Sequence, residues 1–158
     1  MKSEYDKAGQ LKIGYQYDEA GRKTSETDER GNATAHEFDA AGRMTKMTNA
    51  LCQATESAYD LRDQRTSVKD ANGRTMRYEF DARGRMTKTT YPDNTTMVYG
   101  FDGMGRQTSV KDQAGKVTQK GYDDAGQLTS VTDALSQITR YCCWRRHRMY
   151  TKVHGQRS

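Results

Sequence analysis

Tyr17-Asp18, Phe38-Asp39, Tyr59-Asp60, Phe80-Asp81, Phe101-Asp102 and Tyr122-Asp123 recur at a constant step of 21 residues. A chain that repeats itself in register six times must stack like units, each covering its neighbour's face. The unit reads aromatic-Asp-x-x-Gly-Arg-x-Thr. Seven residues after every aromatic stands a threonine: Thr24, Thr45, Thr66, Thr87, Thr108 and Thr129. Gly21, Gly42, Gly84, Gly105 and Gly126 close the turn after the aspartate, with Asp63 in the remaining place. Arg22, Arg43, Arg85 and Arg106 follow, and Gln64 and Gln127 replace the arginine in the other two units.

The turn occurs twice per unit. Its first copies are DEAG, DAAG, DLRD, DARG, DGMG and DDAG; its second copies are DERG, NALC, DANG, YPDN, DQAG and DALS. Aspartate suits the first position of a type I turn because its carboxylate accepts N–H bonds from the residues ahead. Glycine suits the last because positive φ there forms a G1 bulge. Asp63 and Asn94 tolerate that conformation better than most residues. Cys52 and Ser136 tolerate it less, which predicts looser turns at those two places. Pro92, the only proline, falls inside a turn, where it blocks no ladder bond.

Two turns per 21 residues leave strands of about five to seven residues. The intervening segments are rich in Thr, Tyr, Phe, Val and Met, and no window shows capped helical periodicity. The expected fold class is all-β, an antiparallel β-meander from Tyr5 to about Arg140. Only 33% of the residues are hydrophobic, and the mean hydropathy is -1.10. Disorder would give such values too, but disorder has no register to keep. The composition instead fits a sheet wetted on both faces, with a thin apolar stripe. That stripe is formed by the aromatics and the residues six and nine after them, such as Met44, Met47, Val68, Met86, Val110, Leu128 and Val131. Such a sheet has open edges, so the rest of a larger sheet or a second copy of the chain is an expected partner.

The two ends depart from this order. Residues 1–16 form an irregular partial repeat, since Tyr5-Asp6 precedes Tyr17-Asp18 by 12 residues. Residues 17–140 hold the six repeats. Residues 141–158 are a basic tail with Arg145, Arg146, Arg148, Lys152 and Arg157 and no acid. The 26 Lys+Arg less these five equal the 21 Asp+Glu, so the net charge of +5 belongs to the tail and the repeats are neutral. Cys143-Trp144 stands where the next aromatic-Asp pair is due. Any Trp codon read one base later begins a glycine codon, and the two cysteines then become Ala or Val. A shifted reading frame thus explains the abrupt change better than a functional basic tail does. The tail's residue types fit nucleic acid or an acidic surface, although a nucleic-acid partner is not the expectation.

The stretches YDEAGRKTSETDERGNAT, FDAAGRMTKMTNA, FDARGRMTKTTYPDNTT and YDDAGQLTSVTDA resemble the YD repeat of rearrangement-hotspot (Rhs) proteins over about residues 5–140. The resemblance implies a β-sheet that spirals into a hollow shell, as in insecticidal toxin complexes and teneurins. In bacterial Rhs proteins the shell encloses a variable C-terminal toxin, often delivered through type VI secretion. Full-length relatives are secreted or cell-surface associated. Several family features have no counterpart here: the DPxGL-type element that ends the shell, an aspartyl autoproteolysis site, and a folded toxin. The resemblance therefore points to a truncated piece of shell wall.

The residues carry no enzyme signature. Asp-x-x-Gly is too sparse for a calcium loop. Cys142, Cys143, His147 and His154 lack the spacing of a structural zinc site, and no disulfide framework is expected of three cysteines. His36 reads as a strand side chain, and no nucleophile motif or phosphate loop is present. No cofactor or metal is expected. No apolar run reaches the length of a membrane span, and no secretory signal is recognised. The arginine row is the best binding feature: exposed Arg and aromatic rows fit a carbohydrate- or cell-surface-binding module as the alternative function. The plainer expectation is that each arginine pairs with a turn carboxylate, since a neutral body steers anions weakly.

Overall fold

In the computed structural model, residues 2–5, 9, 11–144 and 147–152 are described, with side chains at 9 and 13–141. The chain is an all-β antiparallel meander whose strand order is the chain order, without a crossover. No helix occurs among the described residues. The chain divides into two compact units, residues 1–77 and 78–158.

The first unit contains β1 (Lys2–Tyr5), β2 (Leu11–Tyr17), β3 (Lys23–Asp28), β4 (Ala33–Phe38), β5 (Met44–Thr48), β6 (Ala54–Tyr59) and β7 (Arg65–Lys69). The boundary falls within β8 (Thr75–Phe80). The second unit contains β9 (Met86–Thr90), β10 (Thr96–Phe101), β11 (Gln107–Lys111), β12 (Val117–Tyr122), β13 (Leu128–Thr132), β14 (Ile138–Trp144) and β15 (His147–Lys152). The meander therefore continues past the expected end at Arg140. The tail's first residues form β14 and β15, which pair from Thr139↔Lys152 to Trp144↔His147. The side chains of Cys142, Cys143, Trp144, His147 and His154 lie outside the described residues, as do most of those in the partial repeat 1–16.

Both turns of the unit have one construction. In the first, Gly42 N–H donates to Asp39 O and Asp39 N–H to Arg43 O, each at 3.0 Å. The second repeats it, with Gly73 N–H donating to Asp70 O at 2.9 Å. The Asp39 carboxylate accepts N–H bonds from Ala41 and Arg43, so the aspartate holds its own turn closed. Glycine is favoured at the fourth place because φ is positive there, +83° at Gly42. The non-glycine residues in that place adopt the same conformation: Cys52 at 59°, Asp63 at 64°, Asn94 at 64° and Ser136 at 62°.

The expectation of looser turns at Cys52 and Ser136 fails. Cys52 N–H reaches Asn49 O at 2.9 Å and Ser136 N–H reaches Asp133 O at 3.0 Å, as in the glycine turns. The side-chain oxygens of Asn49 and Asp133 still receive two N–H bonds each. The turn geometry is kept and the cost is borne as left-handed backbone.

The two hairpins of a unit differ in one respect. Where the aromatic strand meets its successor, the register slips by one residue: Phe38 faces Met44 while Glu37 faces Lys46, leaving Thr45 as the extra residue of a bulge. The same slip leaves out Thr24, Thr66, Thr108 and Thr129. No slip occurs at the second turns of the β3–β4, β5–β6, β7–β8, β9–β10, β11–β12 and β13–β14 pairs. The bulge explains how residues six and nine after the aromatic share a face. Three positions apart, they would alternate in an unbroken strand, and the extra residue restores the match. Met44 faces Phe38 and Met47 faces His36, two residues away on the same side.

This stripe does not make a closed interior. Among the described residues no hydrophobic side chain is fully buried; Thr89, at 5% exposure, is the best-covered side chain. Met44 and Met47 remain 42% and 38% exposed, while Val68, Val110, Leu128 and Val131 are half-buried.

Candidate functional site

The most ordered assembly of charged side chains is the arginine row. Asp39 ends its strand, and the four-residue turn returns Arg43 beside it, so the Arg43 guanidinium lies 2.7 Å from the Asp39 carboxylate. The arginine then reaches forward into the next repeat. Its Nη1 donates to the carbonyl oxygen of Asp60 at 2.7 Å, and its guanidinium lies 4.9 Å from the centre of the Tyr59 ring. Arg22 repeats this with Asp18, the Asp39 carbonyl and the Phe38 ring at 5.1 Å. In the second unit Arg85 joins Asp81, the Asp102 carbonyl and Phe101; Arg106 joins Asp102, the Asp123 carbonyl and Tyr122.

The electrostatics follow from these contacts. The Arg43 side chain, its backbone N–H and the Ala41 N–H hold the Asp39 carboxyl below its usual range. The Arg106 side chain comes first in doing the same for Asp102, and backbone N–H bonds from Arg22 and Arg85 come first for Asp18 and Asp81. Asp39 in return raises the Arg43 guanidinium. Asp63, which replaces the turn glycine, gives Arg43 a second carboxylate at 2.8 Å.

The remaining signature residues take fixed places around this row. Thr45 and Thr87 donate their hydroxyls to the carbonyls of Glu37 and Glu79, at 3.3 and 3.2 Å. At Thr45 the bulge residue is thus held by a side-chain bond to the facing strand. Sequence reading found it as the least variable position and missed this role. Tyr59 and Tyr122 each donate a hydroxyl to the carbonyl fifteen residues back, Met44 O at 3.0 Å and Gln107 O at 2.8 Å. Phe38, Phe80 and Phe101 have no hydroxyl to offer. Tyr17 ends β2 and is 42% exposed.

The opposite sheet face carries pairs that change together from unit to unit. Glu37 faces Lys46, with an ion pair at 3.1 Å, and Lys88 reaches Glu79 at 2.8 Å. In the equivalent place Gly100 faces Ser109 and Gly121 faces Ser130. A Cβ on either glycine would stand 2.3 or 2.5 Å from the serine hydroxyl, so the serine fills the space a side chain would use.

No group of three or more His, Cys, Asp or Glu residues could hold a metal ion among the described residues. His36 Nδ1 is enclosed and lacks a hydrogen-bond partner, so no described acid or nucleophile engages it. Cys52 is a free, exposed thiol on a turn. An open groove of ≈ 480 Å³ lies beside the turns at Ala114-Gly115 and Ala134-Ser136, with Lys116, Gln119 and Thr132 in its lining. The Asp133 carboxylate at its rim is occupied by Leu135 and Gln137 N–H groups. No described helix is long and apolar enough to cross a membrane.

This arrangement defines a class: a β-repeat scaffold in which four of the six repeats pair their turn carboxylate with their own arginine and pass the link on to the next repeat. The RHS Repeat family profile matches residues 17–51, 59–96 and 101–138, more than half of the sequence, and the chain belongs to that family. Among solved structures it is similar to a chain of the TcdB2-TccC3-Cdc42 crystal structure, at TM-score 0.61 and 16% identity over 89% of this chain. It is also similar to a chain of the Photorhabdus luminescens Tc holotoxin pore with the TccC3-D651A mutation, at TM-score 0.55 and 14% identity over 82% of this chain. These likenesses are of fold. The chain spans 10% and 9% of the lengths of those two chains. No curated protein matches it.

Proposed function

We propose that the chain is a structural segment of an Rhs-type shell wall, of the kind whose full-length relatives enclose and deliver a C-terminal toxin. The observation that carries this reading is the forward reach of Arg22, Arg43, Arg85 and Arg106. Each commits its guanidinium to a carboxylate, a carbonyl and a ring, and three of those partners are supplied by a repeat and its successor. A row spent on joining units is wall construction. The signature residues from Tyr17 to Thr129 are then structural, and the reading assigns no catalysis, cofactor or metal to the chain.

Its partners are the rest of such a shell or further copies of the chain, joined at strand edges whose N–H and C=O groups need pairing. Location follows the parent assembly, which in the family is secreted or at the cell surface, with type VI secretion as one route. The carbohydrate- or surface-binding alternative loses support from the same row. One face of the Phe38, Tyr59, Phe101 and Tyr122 rings is covered by a guanidinium, leaving less ring for a sugar to stack on.

Sedimentation velocity of the full chain over a concentration series, with calorimetric titration of neutral and sulfated polysaccharides, separates the two. The wall reading expects association that grows with concentration and no saturable polysaccharide binding. A monomer at every concentration that saturates with polysaccharide would overturn it.

A further inference from the structure

The second unit contains a group of sulfur contacts that the wall reading does not use. Met97 on β10 faces Thr89 on β9, the best-covered side chain of the described residues. The Thr89 hydroxyl donates to Met86 Sδ at 3.3 Å. Two phenols converge on the other sulfur: Tyr91 Oη donates to Met97 Sδ at 3.2 Å, and Tyr99 Oη lies 3.8 Å from the same atom. A thioether is a weak acceptor, so two hydroxyl donors on one sulfur exceed what that sulfur needs.

We propose that Met97 is an oxidative modification site whose sulfoxide oxygen is received by hydrogen bonds from Tyr91 and Tyr99. In the reaction a sulfur lone pair attacks one oxygen of a hydroperoxide and the O–O bond breaks. Sulfur gains that oxygen and is oxidised by two electrons; hydrogen peroxide is reduced and leaves as water. A methionine sulfoxide ordinarily disturbs its surroundings because a polar oxygen appears among apolar groups. At Met97 the new oxygen faces the two phenol hydroxyls, which draw back from their present 3.2 and 3.8 Å from sulfur to leave it room. A weak pair of O–H···S contacts becomes a stronger pair of O–H···O bonds. The site is half-buried, which leaves it open to a reagent as small as a peroxide.

Met104, 74% exposed on its turn, and Met44, 42% exposed, give internal standards for reactivity. The full chain is treated with graded hydrogen peroxide, oxygen uptake is mapped by peptide mass spectrometry, and the thermal midpoint is followed. A Met97→Leu chain treated alike reports what oxidation of the other methionines costs. The expected result is one oxygen on Met97 with no larger midpoint loss than in Met97→Leu. In a Tyr91→Phe/Tyr99→Phe chain, the same oxidation should lower the midpoint by about 2–4 °C or more. Two results would overturn the proposal. One is Met97 staying reduced when Met104 and Met44 are fully converted. The other is oxidation of Met97 costing as much with the phenols present as without them.

Discussion

Arg106 donates through Nη1 to the carbonyl oxygen of Asp123, 2.8 Å away and one repeat ahead. The same guanidinium pairs with Asp102 at 2.6 Å and lies 4.9 Å from the Tyr122 ring centre. Only a planar fork meets all three partners, since an ammonium is a compact point charge. Arg106→Lys keeps the charge and should still lose most of what Arg106→Ala loses. Solvent screens this ion pair, so the carbonyl bond and the ring contact carry much of the loss. Urea unfolding of both variants checks this; a lysine variant as stable as the parent would show that charge alone joins the units.

The left-handed turn residues set a second expectation. Cys52→Gly and Ser136→Gly should each stabilise the chain by about 1 kcal/mol, because the turn bonds are already made and only backbone strain is relieved. Asp63→Gly should gain less, since it also removes the carboxylate that Arg43 holds at 2.8 Å. Denaturant midpoints of the three variants test the ranking, and an Asp63→Gly gain equal to the others would remove any role for that ion pair.

Phe101 occupies the place where Tyr59 and Tyr122 donate a hydroxyl to the carbonyl fifteen residues earlier. For Phe101 that carbonyl belongs to Met86. Phe101→Tyr should therefore add one bond and about 0.5–1 kcal/mol of stability while keeping the ring under Arg85. Thermal unfolding reads the gain, and an unchanged or lowered midpoint would show that the β9 carbonyl is not within reach.

Acid should loosen the turns in a defined direction. The carboxyls of Asp18, Asp39, Asp81 and Asp102 are held below 3.8 when folded. The folded state thus binds fewer protons than the unfolded one near that pH, and their contribution is complete above it. It declines as pH falls below about 4 and through the lowered folded values. Thermal midpoints between pH 8 and 2 should show this loss at the acid end. Asp39→Asn should be less stable at neutral pH and less sensitive to acid; an acid limb as steep as the parent's would remove Asp39 from the account.

Much of this was legible in the residues. The 21-residue step, the Asp-x-x-Gly turns and the shared face of Met44 and Met47 follow from spacing and turn chemistry. What spacing could not show is direction. Arg43 lies beside Asp39 in sequence, yet its link to Asp60 depends on strand order and on the bulge at Thr45. The threonine recurs without exception, but a hydroxyl bonded to a facing carbonyl leaves no mark beyond that constancy. Cys52 and Ser136 misled because propensity describes a residue alone, whereas Asn49 and Asp133 hold those turns from the other end. The Glu·Lys and Gly·Ser exchanges were visible as letters and became pairs only once the register was known.

A sheet with no fully buried hydrophobic side chain among its described residues has little apolar area left to release when it comes apart. The heat capacity of unfolding should accordingly fall well below the usual ~12–15 cal/mol/K per residue. Its free-energy curve against temperature is then shallow, with weak curvature toward both heat and cold. Such a wall keeps nearly the same modest strength across the whole range of temperatures at which a cell lives.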